Sequence, residues 1–89
     1  MNLSAAHMRK LQDDPLLQFL ALVETSRDHV RQRGVHPSFE VELRLYEKGV
    51  EAGYIEGAVK ADGDGEPWFF RARITKLGEQ ALQGTGWVL

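Results

Sequence analysis

Residues 53–75 read Gly-Tyr-Ile-Glu-Gly-Ala-Val-Lys-Ala-Asp-Gly-Asp-Gly-Glu-Pro-Trp-Phe-Phe-Arg-Ala-Arg-Ile-Thr, and they carry the strongest structural signal in the chain. Apolar and polar residues alternate on both sides of a central run from Asp62 to Pro67. Such alternation is typical of strands with one buried face, and Asp, Gly and Pro favour turns. The sequence therefore predicts a β-hairpin over about residues 54–75.

The alternation also predicts how the two strands of this hairpin pair, with Ala61 opposite Trp68. The inner face then carries the apolar pairs Ile55–Ile74 and Val59–Phe70. The outer face carries the pairs Glu56–Arg73, Ala58–Arg71 and Lys60–Phe69. A shift by one residue would exchange the two faces, so the pattern specifies the register and predicts an ion pair between Glu56 and Arg73.

Apolar residues at helical spacing precede and follow the hairpin. A short first helix is predicted over about residues 4–13, and a second over 15–33, from the Asp14-Pro15 start signal to Gly34. In the second helix, residues between Leu16 and Val30 form an apolar stripe. A third helix is predicted over 39–52, between a capping Ser38 and Gly53, with Val50 on its buried face. Thr75 is expected to cap a fourth, over 76–83, with Leu77 facing inward.

These elements predict a single α+β domain over residues 1–89, composed of three helices, a hairpin and a short C-terminal helix. The connection from Gly34 to Pro37 is short, so the second and third helices are interpreted as a helix-turn-helix. In that arrangement the third helix enters a DNA groove. The hairpin is then the wing of a winged helix-turn-helix domain.

Composition narrows the classes of function. The chain has 89 residues, a formal net charge of −2 and no cysteine, which excludes disulfides and thiolate metal sites. It shows neither a membrane-spanning apolar segment nor a signal peptide, so we expect a cytoplasmic protein. His7, His29 and His36 lack the spacing that places two metal ligands on one helical turn. With no nucleophile motif either, we predict no metal, no cofactor and no enzyme activity.

Three segments resemble a known pattern. They are Glu51–Gly57, Asp64–Phe69 and Arg73–Leu82, and together they are similar to the "LLxxAGLIE, hairpin, LTxxGxxxL" pattern of winged-helix proteins. The resemblance covers about half of the chain and is nearest to small uncharacterised phage and prophage proteins. Lys48 departs from it, since the pattern has a leucine there. The resemblance implies a non-enzymatic DNA-binding transcription regulator of phage or bacterial type.

Candidate contacts with double-stranded DNA are cations of the third helix and the wing, together with one aromatic residue. They are Arg44, Lys48, Lys60, Phe69, Arg71 and Arg73. Arg71 fits a solvated charge on a strand edge equally well. A second basic cluster, Arg27, Arg31 and Arg33, is better explained by the dipole at the end of the second helix.

The third helix also supports a different hypothesis. It carries the acids Glu40, Glu42, Glu47 and Glu51, which would repel phosphates. The alternative function is therefore a protein-interaction module that binds a basic protein partner through this acidic helix. The apolar tail Trp87–Leu89 is expected to be covered by the second helix or by a second copy, and a homodimer suits a regulator that reads a two-fold site.

Overall fold

A computed structural model describes residues 13–85. The order of elements is α1 (Pro15–Ser26), β1 (His29–Gln32), α2 (Phe39–Glu51), β2 (Ile55–Ala61), β3 (Pro67–Ile74) and α3 (Lys76–Gln83). The described part of the chain is thus an α+β structure of three helices and a three-stranded antiparallel sheet, in the order β1–β3–β2. The predicted helix over 4–13, apart from Asp13, and the tail Trp87–Leu89 lie outside the described residues.

Helix α1 begins as predicted but ends at Ser26, not at residue 33. The carboxylate of Asp14 accepts hydrogen bonds from the backbone N–H groups of Leu16 at 3.0 Å and Leu17 at 3.3 Å. At the other end Arg27 has a φ of 63°, a left-handed conformation that is uncommon for residues other than glycine and stops the helix. The predicted extent of this helix is wrong because the chain turns here into a strand.

Strand β1 replaces the predicted last turns of α1. It pairs with β3, with His29 opposite Ala72 and Gln32 opposite Phe69, so its backbone groups find partners in the sheet. Gly34, with a φ of 83°, lies in the turn after β1 and ends no helix. Between α1 and α2 the chain therefore forms a strand and a turn, and the predicted direct connection of two helices over Gly34 to Pro37 is wrong.

The hairpin of β2 and β3 has the predicted register over most of its length. The observed pairs run from Ile55–Ile74 to Lys60–Phe69, including Glu56–Arg73 and Val59–Phe70. Only the end differs, because Ala61 lies opposite Pro67 and not Trp68. The turn explains this shift: the N–H of Asp62 donates to the carbonyl of Glu66 at 3.0 Å, which fixes the pairing one residue earlier on β3.

The corner from α2 into β2 and the start of α3 also agree with the prediction. Gly53 has a φ of 81° and ends α2. The Thr75 hydroxyl accepts a hydrogen bond from the N–H of Gly78 at 3.1 Å and donates to the carbonyl of Gly53 at 2.6 Å. One side chain therefore caps α3 and links it to the corner.

The core lies between the helices and the inner face of the sheet. Phe70 is fully buried at its centre, with the ring of Tyr46 at 4.9 Å and that of Phe39 at 5.7 Å, both from α2. Phe19 of α1 lies at 6.4 Å from the same ring. These aromatic contacts place α1 and α2 on one side of the sheet and leave its other side uncovered by them.

Four apolar residues with predicted inward positions are not fully buried, although Val59 keeps its predicted pairing with Phe70 on the inner face. Val30 lies on the outer face of the sheet, because it pairs with Arg71 and not with a core residue. Val50, Val59 and Leu77 are 44%, 44% and 50% exposed. Val50 lies in the last turn of α2 and Leu77 in the first turn of α3, where the helix faces extend past the core. No helix within residues 13–85 is long and apolar enough to cross a membrane.

Candidate functional site

The predicted DNA-contacting residues fall on two separate surfaces. Arg44 and Lys48 lie on the exposed side of α2, whose opposite side packs against the inner face of the sheet. The other four predicted residues belong to the outer face of the sheet: Lys60, Phe69, Arg71 and Arg73. The structure therefore brings the four hairpin residues together and separates them from the two helix residues.

The outer sheet face is defined by the residues that pair with one another on the side away from the helices. They are Val30, Gln32, Glu56, Ala58, Lys60, Phe69, Arg71 and Arg73. The side chains of Arg71 and Arg73 are 50% and 60% exposed. A shallow depression of about 380 Å³ lies beside them and is lined by both arginines and by residues 56–58 of β2.

Asp28 is a member of this site that the sequence did not reveal. Its carboxylate Oδ1 lies 3.2 Å from Nε of Arg71 and 3.9 Å from Nε of Arg73. Glu56 stands opposite Arg73 in the sheet but forms no ion pair within residues 13–85, so the predicted Glu56–Arg73 bridge is wrong. The guanidinium groups of both arginines instead lie near Asp28, which connects α1 to β1. The Asp28 side chain is 43% exposed, and exposed ion pairs of this kind are weak.

Lys60 and Phe69 form the second half of the outer sheet face. The Nζ atom of Lys60 lies 5.1 Å from the centre of the Phe69 ring, within the range of a cation–π contact. The Trp68 ring lies next to it, at 5.9 Å from that of Phe69. The hairpin thus presents a cation and a half-buried aromatic ring on the same face of the sheet as the two arginines.

The exposed side of α2 carries mainly negative charge, unlike the outer sheet face. Its charged residues are the three acids Glu40, Glu47 and Glu51 and the two cations Arg44 and Lys48, all exposed. We call this set the α2 face. Carboxylates outnumber cations on it, so its local potential is unfavourable for a phosphate backbone. Val41, 62% exposed, adjoins it.

Glu42 does not belong to the α2 face, contrary to the sequence-based hypothesis. It is 7% exposed, and its carboxylate lies 2.6 Å from Nε2 of His29 and 2.9 Å from Nε of Arg31. The hydroxyl of Ser38 also donates to it, and makes no capping hydrogen bond to α2. Alternation along β1 places His29 and Arg31 on the inner face, where they meet α2. The hydrogen bonds of this carboxylate are therefore made within the protein, and it is not available to contact a partner.

Burial and hydrogen bonding act on the two titratable groups of this buried pair. Burial raises the pKa of Glu42, but the hydrogen bonds from Ser38, Arg31 and His29 outweigh it and lower that pKa. Burial also lowers the pKa of His29, assisted by the charge of Arg31 and opposed by the hydrogen bond to Glu42. We conclude that the pair is a neutral imidazole beside an ionised carboxylate near neutral pH.

Most of the second basic cluster lies away from a helix end. Arg27 is the C-cap residue of α1, but Arg31 lies in β1 and Arg33 directly after it, so the dipole interpretation is wrong for those two. Arg31 pairs with Glu42, and Nη2 of Arg33 lies 3.0 Å from Oδ2 of Asp62 at the tip of the hairpin. These arginines link the sheet to α2 and to the turn.

The structure offers no arrangement for a metal within the described range. No three His, Cys, Asp or Glu side chains between residues 13 and 85 are grouped so that they could hold an ion. His29 is bonded to Glu42, and Nδ1 of His36 accepts a hydrogen bond from the N–H of Gln32 at 2.9 Å.

Comparison of the chain with models of protein families, with curated proteins and with solved structures found no match. No family is therefore assigned, and function is inferred from the chain's own residues.

Proposed function

We propose that the chain is a small winged-helix-like, non-enzymatic protein that binds double-stranded DNA, as a regulator of phage or bacterial type, and that it does so through the outer sheet face. The observation that carries this proposal is the joint exposure of Lys60, Arg71 and Arg73 beside the ring of Phe69.

Charge distinguishes this surface from the α2 face. The whole chain has a net charge of −2, so binding to phosphates depends on a local excess of cations. On the α2 face carboxylates outnumber cations, whereas the outer sheet face, within residues 13–85, carries three cations and the carboxylate of Glu56, with that of Asp28 beside Arg71 and Arg73. The outer sheet face is the more favourable of the two for a phosphate backbone.

Geometry supports the same surface. Residues 71 and 73 project from one side of β3, and alternate residues of a strand stand about 7 Å apart. Some DNA-binding proteins place the strands of a β-sheet in a DNA groove, where such a row of cations can face phosphates. A phosphate would replace Asp28 as the partner of Arg71 and Arg73. The helices packed on the other face keep the hairpin in place, as expected for a wing.

A salt-dependent titration of a mixed-sequence duplex tests the proposal. We expect weak binding at low salt, with a log–log salt slope of roughly −3 for three neutralised phosphates. Arg71→Glu should weaken binding by on the order of tenfold, because it reverses a contacting charge. Arg44→Glu makes the same change of charge on the α2 face and should have a much smaller effect.

Thermal melts of both variants establish that they remain folded. The proposal fails if the wild-type chain does not bind at low salt, or if the two substitutions weaken binding equally, since an equal loss would reflect total charge only.

A protein-interaction module remains the second candidate, favoured by the three exposed acids Glu40, Glu47 and Glu51 with Val41 beside them. Glu42 is no longer part of it. In this case the partner is a basic protein surface, and the duplex titration gives no binding although the chain is folded.

A further inference from the structure

Strand β2 has an unpaired edge. It lies at the end of the sheet order β1–β3–β2, and no strand of residues 13–85 pairs with its other side. The carbonyl of Tyr54 accepts a hydrogen bond from the N–H of Thr75 at 2.9 Å, so the backbone groups of residue 54, and of every second residue after it, face β3. The N–H and C=O groups of Ile55, Gly57 and Val59 therefore face outward, that is, away from β3 in the plane of the sheet. A further strand could pair with them there.

The side chains of β2 are also accessible. All residues of β2 after Ile55 are exposed, including the apolar Val59 at 44%. Unpaired edges are ready templates for pairing with another chain, and proteins usually protect them with charges or bulges. The irregularity of β2 lies between Lys60 and Ala61, so residues 56–60 pair with β3 in unbroken register, and the charges on this stretch are those of Glu56 and Lys60.

We propose that a second copy of this chain occupies the β2 edge, with the two β2 strands antiparallel about a two-fold axis at Ala58. In this register Gly57 of each copy lies opposite Val59 of the other. Both residues have outward-facing backbone groups, so each such pair exchanges two hydrogen bonds. The two sheets become one continuous sheet.

Charge complementarity selects this register and this occupant. On the outer side, Glu56 of each copy stands opposite Lys60 of the other, which gives two opposite-charge pairs. Sliding one strand by two residues places Glu56 or Lys60, depending on the direction, opposite Ala58, and sliding it by four places Glu56 or Lys60 opposite its own equivalent. A slip of one residue places residues whose backbone N–H and C=O groups point away from β3 opposite residues whose groups point toward the second copy's own β3, so that they cannot exchange hydrogen bonds. Only the proposed register satisfies both charge and hydrogen bonding.

The inner side of the pairing also fits. Val59 would lie opposite a residue without a side chain, Gly57, and diagonally next to Val59 of the second copy. Diagonal neighbours across antiparallel strands are within reach of one another, so each exposed valine gains an apolar contact. This self-association does not require DNA binding, and it uses residues remote from the C-terminal tail.

Sedimentation equilibrium of the full chain at low salt, from about 10 µM to 1 mM, tests the proposal. We expect a reversible monomer–dimer equilibrium in this range. Glu56→Lys and Lys60→Glu each place like charges at both contact points and should raise the dimer dissociation constant at least about tenfold. The double variant Glu56→Lys with Lys60→Glu restores opposite charges and should return to within about threefold of the wild-type value.

Val59→Pro provides an independent test, because it removes an N–H group that faces the second copy and not β3. It should abolish the dimer and leave the circular dichroism spectrum of the monomer unchanged. A monomer at all concentrations, or a charge-swapped double variant that stays monomeric, would overturn the proposal. A dimer that tolerates both single substitutions would also overturn it and would point to an interface elsewhere, such as the C-terminal tail.

Discussion

The carboxylate of Glu42 joins β1 to α2. It receives hydrogen bonds from His29 and Arg31 on the strand and from Ser38 before the helix. Without this carboxylate the buried His29 would lose its hydrogen-bond partner, and a buried polar group left unsatisfied costs about 1 to 3 kcal/mol. This residue therefore contributes to stability, and the charge it carries is not free for recognition.

Stability should depend on pH through His29. In the unfolded chain its imidazole has the ordinary histidine pKa of about 6.5. In the folded chain burial lowers the pKa of His29, and the charge of Arg31 lowers it further. These effects outweigh the hydrogen bond to Glu42 and the negative charge of that residue, which raise it. Between the two values the unfolded chain binds a proton that the folded chain does not. The free energy of unfolding should therefore fall as pH decreases from about 7 towards 5.

Urea unfolding at a series of pH values measures this effect. His29→Gln keeps a donor for Glu42 but cannot titrate, so its stability should depend less on pH over that range. Equal slopes for the wild-type chain and the variant would show that His29 is not the group responsible.

Sequence could predict those residues whose partners are near in the chain. Asp14, Gly53 and Thr75 act on their own helix ends, and all three have the expected roles. Glu42 was misassigned because its partners His29 and Arg31 lie 13 and 11 residues away, on a strand that was not predicted. Asp28 was missed because the predicted helix ran through it, whereas in the structure it follows the end of α1 and meets Arg71 and Arg73 of β3.

Among the elements, the hairpin was predictable and β1 was not. Two strands with opposed patterns specify one register, and the pairs from Ile55–Ile74 to Lys60–Phe69 follow it. In β1, by contrast, Val30 is seven residues after Val23, a spacing that also suits a continuing helix. Only pairing with β3 distinguishes the two possibilities, and a short strand of four residues shows little alternation by itself.

Packing of α3 on the corner gives a second prediction. Gly78 is buried, and a Cβ atom there would overlap the carbonyl oxygen of Tyr54 and approach Cγ1 of Ile74 to 2.7 Å. Glycine to alanine in a helix usually stabilises by up to about 1 kcal/mol. Here Gly78→Ala should destabilise instead, by about 1 to 3 kcal/mol, because backbone has to move.

Gly63→Ala is the matched control, since a Cβ at that position meets nothing within 4 Å. Its free energy of unfolding should stay within about 0.5 kcal/mol of the wild-type value. If Gly78→Ala proves as neutral as the control, or stabilising, then α3 does not pack against the corner as described.

In the whole molecule, the sheet divides the surface into two sides of different charge. The helices cover one side, and the α2 face points away from it with an excess of carboxylates. The outer sheet face carries Lys60, Arg71 and Arg73. This division could not be predicted from the sequence, because the order of residues along the chain does not show that the cations of α2 and of the hairpin lie on different sides.

The comparison of Asp28→Asn with Glu47→Gln in a duplex titration at low salt decides between the two sides. Each substitution removes one negative charge from an exposed side chain, Asp28 beside Arg71 and Arg73, and Glu47 on the α2 face. If DNA binds the outer sheet face, Asp28→Asn releases both arginines and should tighten binding by roughly three- to tenfold, whereas Glu47→Gln should change it less than about twofold. Tighter binding by Glu47→Gln with no change for Asp28→Asn would contradict the assignment and place the contact on α2.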